Sequence, residues 1–444
     1  MEKDWKTMTA EERLAQRLDG YVNTPGFEFA SPEAEALYRE RATIIRDAFE
    51  LKVPARVPVF PSEGFFPTLN AGMSMKDMMY DYEGVAKALL AYINEYQPDA
   101  WFGALSLVPG RCFDILDYKV YDWPGQKLAD HLVYQMKEDE YVKASEYGAL
   151  AADPSGFFLR TYLPRVFGAL EPLAKMPLLP SIQEMPMTPT ALIPFGMPDV
   201  QEAFKRLMEA GNEAVRWIQV MGGLGAQVRA LGCTDWAGGA AKAPFDAIGD
   251  TLRGTSGMMM DMYRNADALI EACDRFVPLM VEMAVGAANQ TGVPLIFMPL
   301  HKGADGFMSN RQFEKFYWPS LKKVMLGIAE EGCIPVMFAE GGYNQRLEII
   351  ADFPKGKCIW WFDQTDMKRA KEVLGDVACI AGNVSTALMT AGTPDEVKAY
   401  CKELIETAGK DGAFILTNGC GIDHAKPANV KAMMEAGLEY GRYR

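Results

Sequence analysis

The chain has 444 residues, 49% of them hydrophobic and 23% charged, and its formal net charge at pH 7 is −14. The apolar content is ample for a large core, and the acidic balance disfavours a nucleic-acid partner because phosphate backbones are also negative. No apolar run reaches the roughly 20 residues that a transmembrane helix needs, and the charged start at residues 1–6 is unlike a signal peptide. We therefore expect a cytoplasmic protein that does not enter a membrane.

The N-terminal part reads as helical. Thr9 and Ser31 each begin a stretch with residues typical of helix starts, which predicts a charged helical extension over residues 1–52. Residues 53–60 predict the first strand, and residues 81–96 predict a helix.

The middle of the chain is less regular. Residues 174–198 are rich in proline and methionine, which indicates an excursion from the main fold. A helical pattern returns over residues 202–221, and we interpret the glycine cluster at residues 222–225 as a turn, because it matches no phosphate-loop spacing.

The last 150 residues alternate five apolar strands with five helices. The predicted strands are residues 294–299, 333–338, 358–362, 378–381 and 413–417. Such alternation indicates a parallel sheet covered on both faces, as either a closed barrel or an open doubly wound sheet. The chain length and the lack of a GxGxxG turn after the first strand favour the barrel. We predict a (β/α)₈ TIM barrel over residues 53–444, with the helical extension and insertions.

Reactive side chains follow each of these strands. They are His301, Lys302 and Asp305; Glu340, Tyr343 and Asn344; Asp363 and Gln364; Asn383 and Ser385; and Cys420, Asp423 and His424. The loops at the opposite ends of the strands hold ordinary turn residues. Because barrel active sites lie in the loops after the strands, this asymmetry predicts a site at that mouth.

Three of these side chains suit a metal. Catalytic zinc takes three N, S or O ligands and leaves a fourth position open, and His301, Glu340 and Cys420 offer one of each type. Asp363 and His424 are reserve ligands. Only three histidines and eight cysteines occur, and no CxxC pair is present, so a local spacing motif does not support the site.

Four segments resemble the uroporphyrinogen decarboxylase superfamily. They are residues 308–319, 381–384, 392–397 and 418–421, and the resemblance is clearest from about 290 to 435. The superfamily is a (β/α)₈ barrel, which agrees with the independent prediction. Its true decarboxylases carry an arginine-rich motif after the first strand, but residues 61–66 here contain no arginine.

The other branch of this superfamily comprises cobalamin-dependent methyltransferases, which hold zinc through a His-x-Cys pair and a distant Cys. Cys420 matches the distant ligand, whereas Phe338 and Glu340 occupy the paired positions. An oxygen ligand makes the site harder, which favours members that demethylate methoxylated compounds over those that methylate thiols.

The resemblance implies an O-demethylase-like methyltransferase. Its zinc would activate the oxygen of an aryl methyl ether. Candidate catalytic residues are Glu340, Asp363, Tyr343 and Asn383, and the candidate substrate pocket is Phe65, Phe66, Phe338 and Trp361.

The corrinoid is expected on a separate protein, because none of the three histidines stands in the Asp-x-His-x-x-Gly motif of corrinoid-binding domains. The sequence also allows an oligomer. Two alternatives remain open: a metal-dependent decarboxylase of a non-porphyrin substrate, and a non-catalytic barrel that binds a small molecule.

Overall fold

The computed structural model describes residues 4–103 and 107–443 and contains ten strands in that part of the chain. The strands are β1 (Ala100–Trp101), β2 (Tyr121–Asp122), β3 (Gln135–Met136), β4 (Thr234–Asp235), β5 (Gly239–Ala240), β6 (Leu295–Leu300), β7 (Ile334–Ala339), β8 (Ile359–Phe362), β9 (Cys379–Val384) and β10 (Phe414–Asn418). The order β5-β6-β7-β8-β9-β10 forms one parallel sheet, and β1 pairs in parallel with β4.

The sheet closes around the segment at residues 57–60. Val59 forms a parallel bridge with Leu416 of β10 on one side, and its carbonyl accepts the N–H of Asp99, just before β1, on the other. β4 and β5 follow one another closely in the chain and together act as one barrel strand, because β4 pairs with β1 and β5 pairs with β6. The predicted (β/α)₈ barrel is therefore confirmed. The prolines at positions 54, 58 and 61 limit the first strand to this short contact, because proline donates no ladder hydrogen bond.

The helices cover three regions. The extension holds Ala10–Asn23 and Pro32–Phe49. The first half of the barrel and its insertion hold Phe66–Asn70, Met75–Tyr80, Tyr82–Tyr96, Gly110–Leu116, Tyr147–Ala152, Pro154–Phe157, Leu163–Val166, Thr188–Leu192 and Pro198–Ala230. The second half holds Pro244–Thr251, Gly254–Arg264, Ala266–Thr291, Asn310–Gln312, Trp318–Glu330, Leu347–Ile350, Met367–Leu374, Thr386–Ala391, Pro394–Thr407 and Pro427–Tyr440. None of the helices in the described ranges is both long and apolar enough to cross a membrane.

Local sequence explains several helix starts. Thr9 and Thr393 each form a capping box with the glutamate three residues on, which satisfies two backbone N–H groups that would otherwise lack partners. The interpretation of residues 222–225 as a turn is wrong, because the helix Pro198–Ala230 runs through them. Burial of Leu224 and Val228 on one face of that helix offsets the low helix propensity of glycine, about 1 kcal/mol per residue.

Alternate strand residues face two different cores. Inward-facing side chains pack with the two N-terminal helices, so that the extension covers the N-terminal end of the barrel. Six aromatic rings meet inside the barrel: Phe60, Phe102, Trp236, Phe297, Phe338 and Trp361. The barrel interior is thus filled by side chains, which is typical of this fold.

Glu63 is a buried acid in the loop after the first strand. It is 2% exposed, and its Oε1 accepts the N–H of Phe102 at 2.8 Å. Its Oε2 is buried without a hydrogen-bond partner among the described residues. Burial raises the pKa of Glu63 to about 8, although nearby backbone N–H groups oppose the shift.

Replacing this acid should change how stability depends on pH. The folded-state pKa of Glu63 lies above its ordinary value of 4.5, so the folded state binds the proton more tightly. The free energy of unfolding should therefore fall between about pH 4.5 and pH 8, by up to about 1.4 kcal/mol per pH unit from this group. Glu63→Gln should remove that slope in urea unfolding measured at pH 5, 6, 7 and 8. The exposed Glu184→Gln is the matched control, and equal slopes for wild type and Glu63→Gln would contradict the expectation.

Candidate active site at the barrel mouth

Two carboxylates on the helix Pro244–Thr251 hold the loop that follows β6. Asp246 is fully buried and accepts the backbone N–H groups of His301 and Lys302, each at 3.0 Å, together with the hydroxyl of Tyr317 at 2.6 Å. Burial, with the nearby charge of Asp250, raises the pKa of Asp246. Asp246 therefore fixes the backbone that presents His301.

Asp250, one turn further along that helix, fixes the imidazole itself. Its Oδ2 lies 2.7 Å from Nδ1 of His301 and 2.5 Å from Nζ of Lys242, and its Oδ1 lies 2.5 Å from Nζ of Lys302. Burial alone would raise the pKa of Asp250, but the hydrogen bond from His301 and the charges of the two lysines outweigh it and lower the pKa well below its ordinary range. Asp250 is thus an ionised anchor for three cationic or hydrogen-bonding groups.

The second ring nitrogen of His301 points towards Glu340. The Nε2–Oε1 distance is 3.7 Å, and the side chains are 33% and 40% exposed. Burial would lower the pKa of His301, but the hydrogen bond and charge of Asp250, followed by the charges of Glu340 and Asp246, raise it. Burial raises the pKa of Glu340; the charge of His301 lowers it, while those of the neighbouring acids raise it further. His301 and Glu340 therefore form a pair that solvent can reach at the barrel mouth.

Cys420 lies on the same side of the barrel, in the loop after β10. It is exposed, whereas the other seven cysteines are buried. Burial of the sulfur, with the charges of Glu340 and Asp363, raises the pKa of the thiol to about 11. Cys420 thus follows the last strand at the barrel end where His301 and Glu340 also lie.

The His301–Glu340 pair suits a metal in its donor chemistry and in its separation. Two metal bonds of about 2.0–2.1 Å at a tetrahedral angle span about 3.3 Å between donor atoms, close to the 3.7 Å between His301 and Glu340. A carboxylate on the other imidazole nitrogen, here Asp250, is the usual partner of a metal-binding histidine. Within residues 4–103 and 107–443, however, no three His, Cys, Asp or Glu side chains stand close enough to form a preassembled metal site.

The remaining predicted polar residues have different surroundings. Asp363 accepts the N–H of Gly341 at 3.0 Å, and burial raises its pKa. Asn383 is 7% exposed; its amide donates to the carbonyls of Asp363 and Thr365. Asn383 therefore positions the loop of Asp363.

Tyr343 is fully buried beneath the mouth, and its ring packs against Trp360. Its N–H donates to the hydroxyl of Thr365. His424, a reserve ligand, is exposed, and its neighbour Asp423 accepts the N–H of Phe65 at 3.1 Å.

The predicted pocket residues separate into three groups. Phe338 and Trp361 belong to the aromatic cluster inside the barrel, 7% and 1% exposed. Phe66 packs outside the barrel against Tyr92 and Tyr96. Phe65 alone is half-buried at the rim. Sequence reasoning missed Lys242, Asp246 and Asp250, although the i, i+4 spacing of the two acids after Pro244 indicates one face of a helix.

The fold and this mouth define a (β/α)₈-barrel protein with its polar groups at the C-terminal ends of the strands. Residues 224–440 match the sequence profile of the uroporphyrinogen decarboxylase (URO-D) family. The curated uroporphyrinogen decarboxylase of Chlorobium luteolum is 25% identical over 173 residues, which cover 36% of this chain and 48% of that protein. The chain therefore spans about half the length of that relative.

A solved structure extends the likeness over most of the fold. A methyltransferase from Methanosarcina mazei aligns with a TM-score of 0.57 and 17% identity, covering 91% of this chain and 98% of that one. The predicted resemblance to the uroporphyrinogen decarboxylase superfamily is confirmed by these matches.

Replacing the Asp250 carboxylate should weaken the contact that orients the imidazole of His301. In Asp250→Asn the pKa of His301 should fall, because Asp250 is the main influence that raises it and burial then dominates. Titration of the imidazole C–H signals by NMR measures this directly, since the chain has only three histidines. Asp274→Asn, which removes a surface partner of Lys323, is the control. A His301 midpoint that stays in place would rule out Asp250 as the controlling contact.

Proposed function

We propose that this protein is a methyltransferase that demethylates a methoxylated small molecule, an aryl methyl ether, and passes the methyl group to the Co(I) of a separate corrinoid protein. The observation that carries the proposal is the accessible His301–Glu340 pair at the barrel mouth, 3.7 Å apart, with Asp250 holding the far nitrogen of the imidazole. The structural likeness to a methyltransferase over 91% of the chain supports the same reaction class.

His301, Glu340 and Cys420 are the residues that would hold a zinc-type metal. When bound, such a metal would supply Lewis acidity at the ether oxygen. The contact with Asp250 leaves Nδ1 occupied and Nε2 free to face the mouth, which fixes the orientation of the ring before any ligand binds.

The reaction requires charge to be stabilised on the departing oxygen. The bond between methyl carbon and ether oxygen breaks, its electron pair stays on the oxygen, and the carbon bonds to Co(I), which becomes methyl-Co(III). The phenolate must then take a proton. Asp363, at the mouth, is our candidate donor of that proton, because burial raises its pKa and general acids have raised pKa values.

The charge at the mouth argues against a tetrapyrrole with several carboxylates. Asp250, Glu340, Asp363 and Asp423 all lie there, and the two nearest lysines, Lys242 and Lys302, are already paired with Asp250. A polyanionic substrate would meet carboxylates of like charge, while these two lysines are already engaged. Decarboxylation is favoured by the names of the family profile, which matches residues 224–440, and of the curated relative, whose match covers 36% of this chain.

Loss of the thiol should remove metal and activity together. We expect Cys420→Ala to bind zinc at least ten-fold more weakly and to lose demethylation, because it removes the proposed sulfur ligand. Circular dichroism should be unchanged, because Cys420 is exposed and the substitution deletes a single sulfur atom. Zinc content after dialysis and turnover are the two measurements. Cys333→Ala, which removes a buried thiol at the opposite end of β7, should retain both. Full zinc and turnover in Cys420→Ala would exclude the thiol as a ligand.

Turnover should depend on a second protein. The purified chain alone should show no cobalamin absorbance and no multiple-turnover demethylation of guaiacol. Adding a reduced corrinoid protein should start turnover and convert the Co(I) spectrum to that of methyl-Co(III). The control is the same corrinoid-binding protein without its corrinoid, treated with the same reductant. Efficient demethylation without any cobalt species would overturn the proposal.

A further inference from the structure

A second feature of the mouth is an aromatic pocket in the insertion between β1 and β4. Val108 and Met79 form part of its wall. The rest of the wall consists of five aromatic rings, those of Phe113, Tyr118, Tyr121, Trp123 and Tyr134. Tyr118 stacks on Phe113 with ring centroids 5.3 Å apart, and Tyr121 meets Tyr134 edge to face at 5.9 Å. None of these residues was part of the candidate site predicted from the sequence.

The size of the pocket limits what it can hold. Its volume is about 230 Å³. An apolar cavity of about 150 Å³ is enough for benzene, so there is room for one ring with two or three small substituents. A tetrapyrrole or a corrin is far too large.

The lining also limits the charge of the ligand. No ionisable acid or base other than tyrosine lines the pocket. A carboxylate would meet no cation among the lining residues, and a quaternary ammonium would contact aromatic faces but no carboxylate among them, so an uncharged ring is favoured. Within the described ranges, the hydroxyls of Tyr118, Tyr121 and Tyr134 form no hydrogen bond, which leaves them available to a polar substituent.

The pocket adjoins the candidate active site. The ring of Tyr134 contacts that of Phe65, with centroids 6.5 Å apart, and the N–H of Phe65 donates to Asp423. These contacts, from Tyr134 through Phe65 to Asp423, join the pocket to the loop that follows β10.

We propose that this pocket is the aryl subsite: it binds an uncharged, single-ring phenol ether by its faces, while the tyrosine hydroxyls bind the phenolic hydroxyl. The assignment rests on the proposed function for the fate of the methyl group, but ring binding itself requires neither metal nor corrinoid. Substrate specificity would then depend on the insertion, because Phe338 and Trp361 are packed in the barrel interior and do not line this pocket.

Calorimetry with guaiacol and anisole on the full chain tests the subsite. Val108→Trp, which fills the pocket, should weaken guaiacol binding at least ten-fold. Tyr121→Phe keeps the ring and removes only the hydroxyl, so it should weaken guaiacol about five-fold and anisole less. Tyr263→Phe, at a tyrosine that is 75% exposed, is the control and should change neither affinity.

The outcomes separate this proposal from the proposed function. Unchanged guaiacol affinity in both Val108→Trp and Tyr121→Phe overturns the aryl subsite, even if methyl transfer proceeds. The proposal is also overturned, in favour of a cation site, if tetramethylammonium binds the wild type but not Val108→Trp and guaiacol binds neither. Guaiacol binding that both variants weaken, without methyl transfer to a corrinoid protein, supports the subsite and refutes the methyltransferase.

Discussion

The hydrogen bond between Asp250 and Nδ1 of His301, 2.7 Å long, is the contact on which the arrangement of the mouth depends. Asp250 is 8% exposed, and Lys302, which it also binds, is 7% exposed. Charged groups so deeply buried are tolerated only when they are paired. The same pairing that makes the cluster stable therefore fixes the position of the imidazole and directs its other nitrogen outwards, towards Glu340.

The strands that precede His301 and Glu340 pack on an aromatic interior. Phe297 and Phe338 extend from neighbouring strands β6 and β7, their ring centroids 5.7 Å apart, and both pack against Trp361. Phe338 stands at a position where the sequence resemblance predicts a histidine, and here it packs in the aromatic interior. His301 directly follows the neighbouring strand β6.

Much of the barrel could be predicted from the sequence because its second half follows simple rules. Continuous apolar strands, the capping residues around Thr393 and the polar loops after the strands each carry a local signal. The strand β1 and the stretch from β4 to β5 carried little signal, since each regular segment is only two residues long. The helix through residues 222–225 was missed because tertiary packing outweighed the local preference of glycine.

The candidate site was predictable to a similar degree and for similar reasons. His301, Glu340 and Cys420 follow separate strands, so the fold alone implies that they share one face. Asp246 and Asp250 lie on a helix with no recognisable motif, and only the structure shows that they bind the loop of His301. The aromatic pocket was likewise hidden, because its rings come from an irregular insertion whose pairings are not periodic.

The proposed function requires a nitrogen, an oxygen and a sulfur donor to meet on one metal at the barrel mouth, with the imidazole oriented in advance by Asp250. X-ray absorption spectroscopy of the zinc-loaded protein tests that claim most directly, because it counts the atoms bound to the metal. We expect one sulfur neighbour beside nitrogen and oxygen neighbours, with an imidazole signature that is lost in His301→Ala. A zinc shell made only of oxygen atoms, unchanged in that variant, would contradict it.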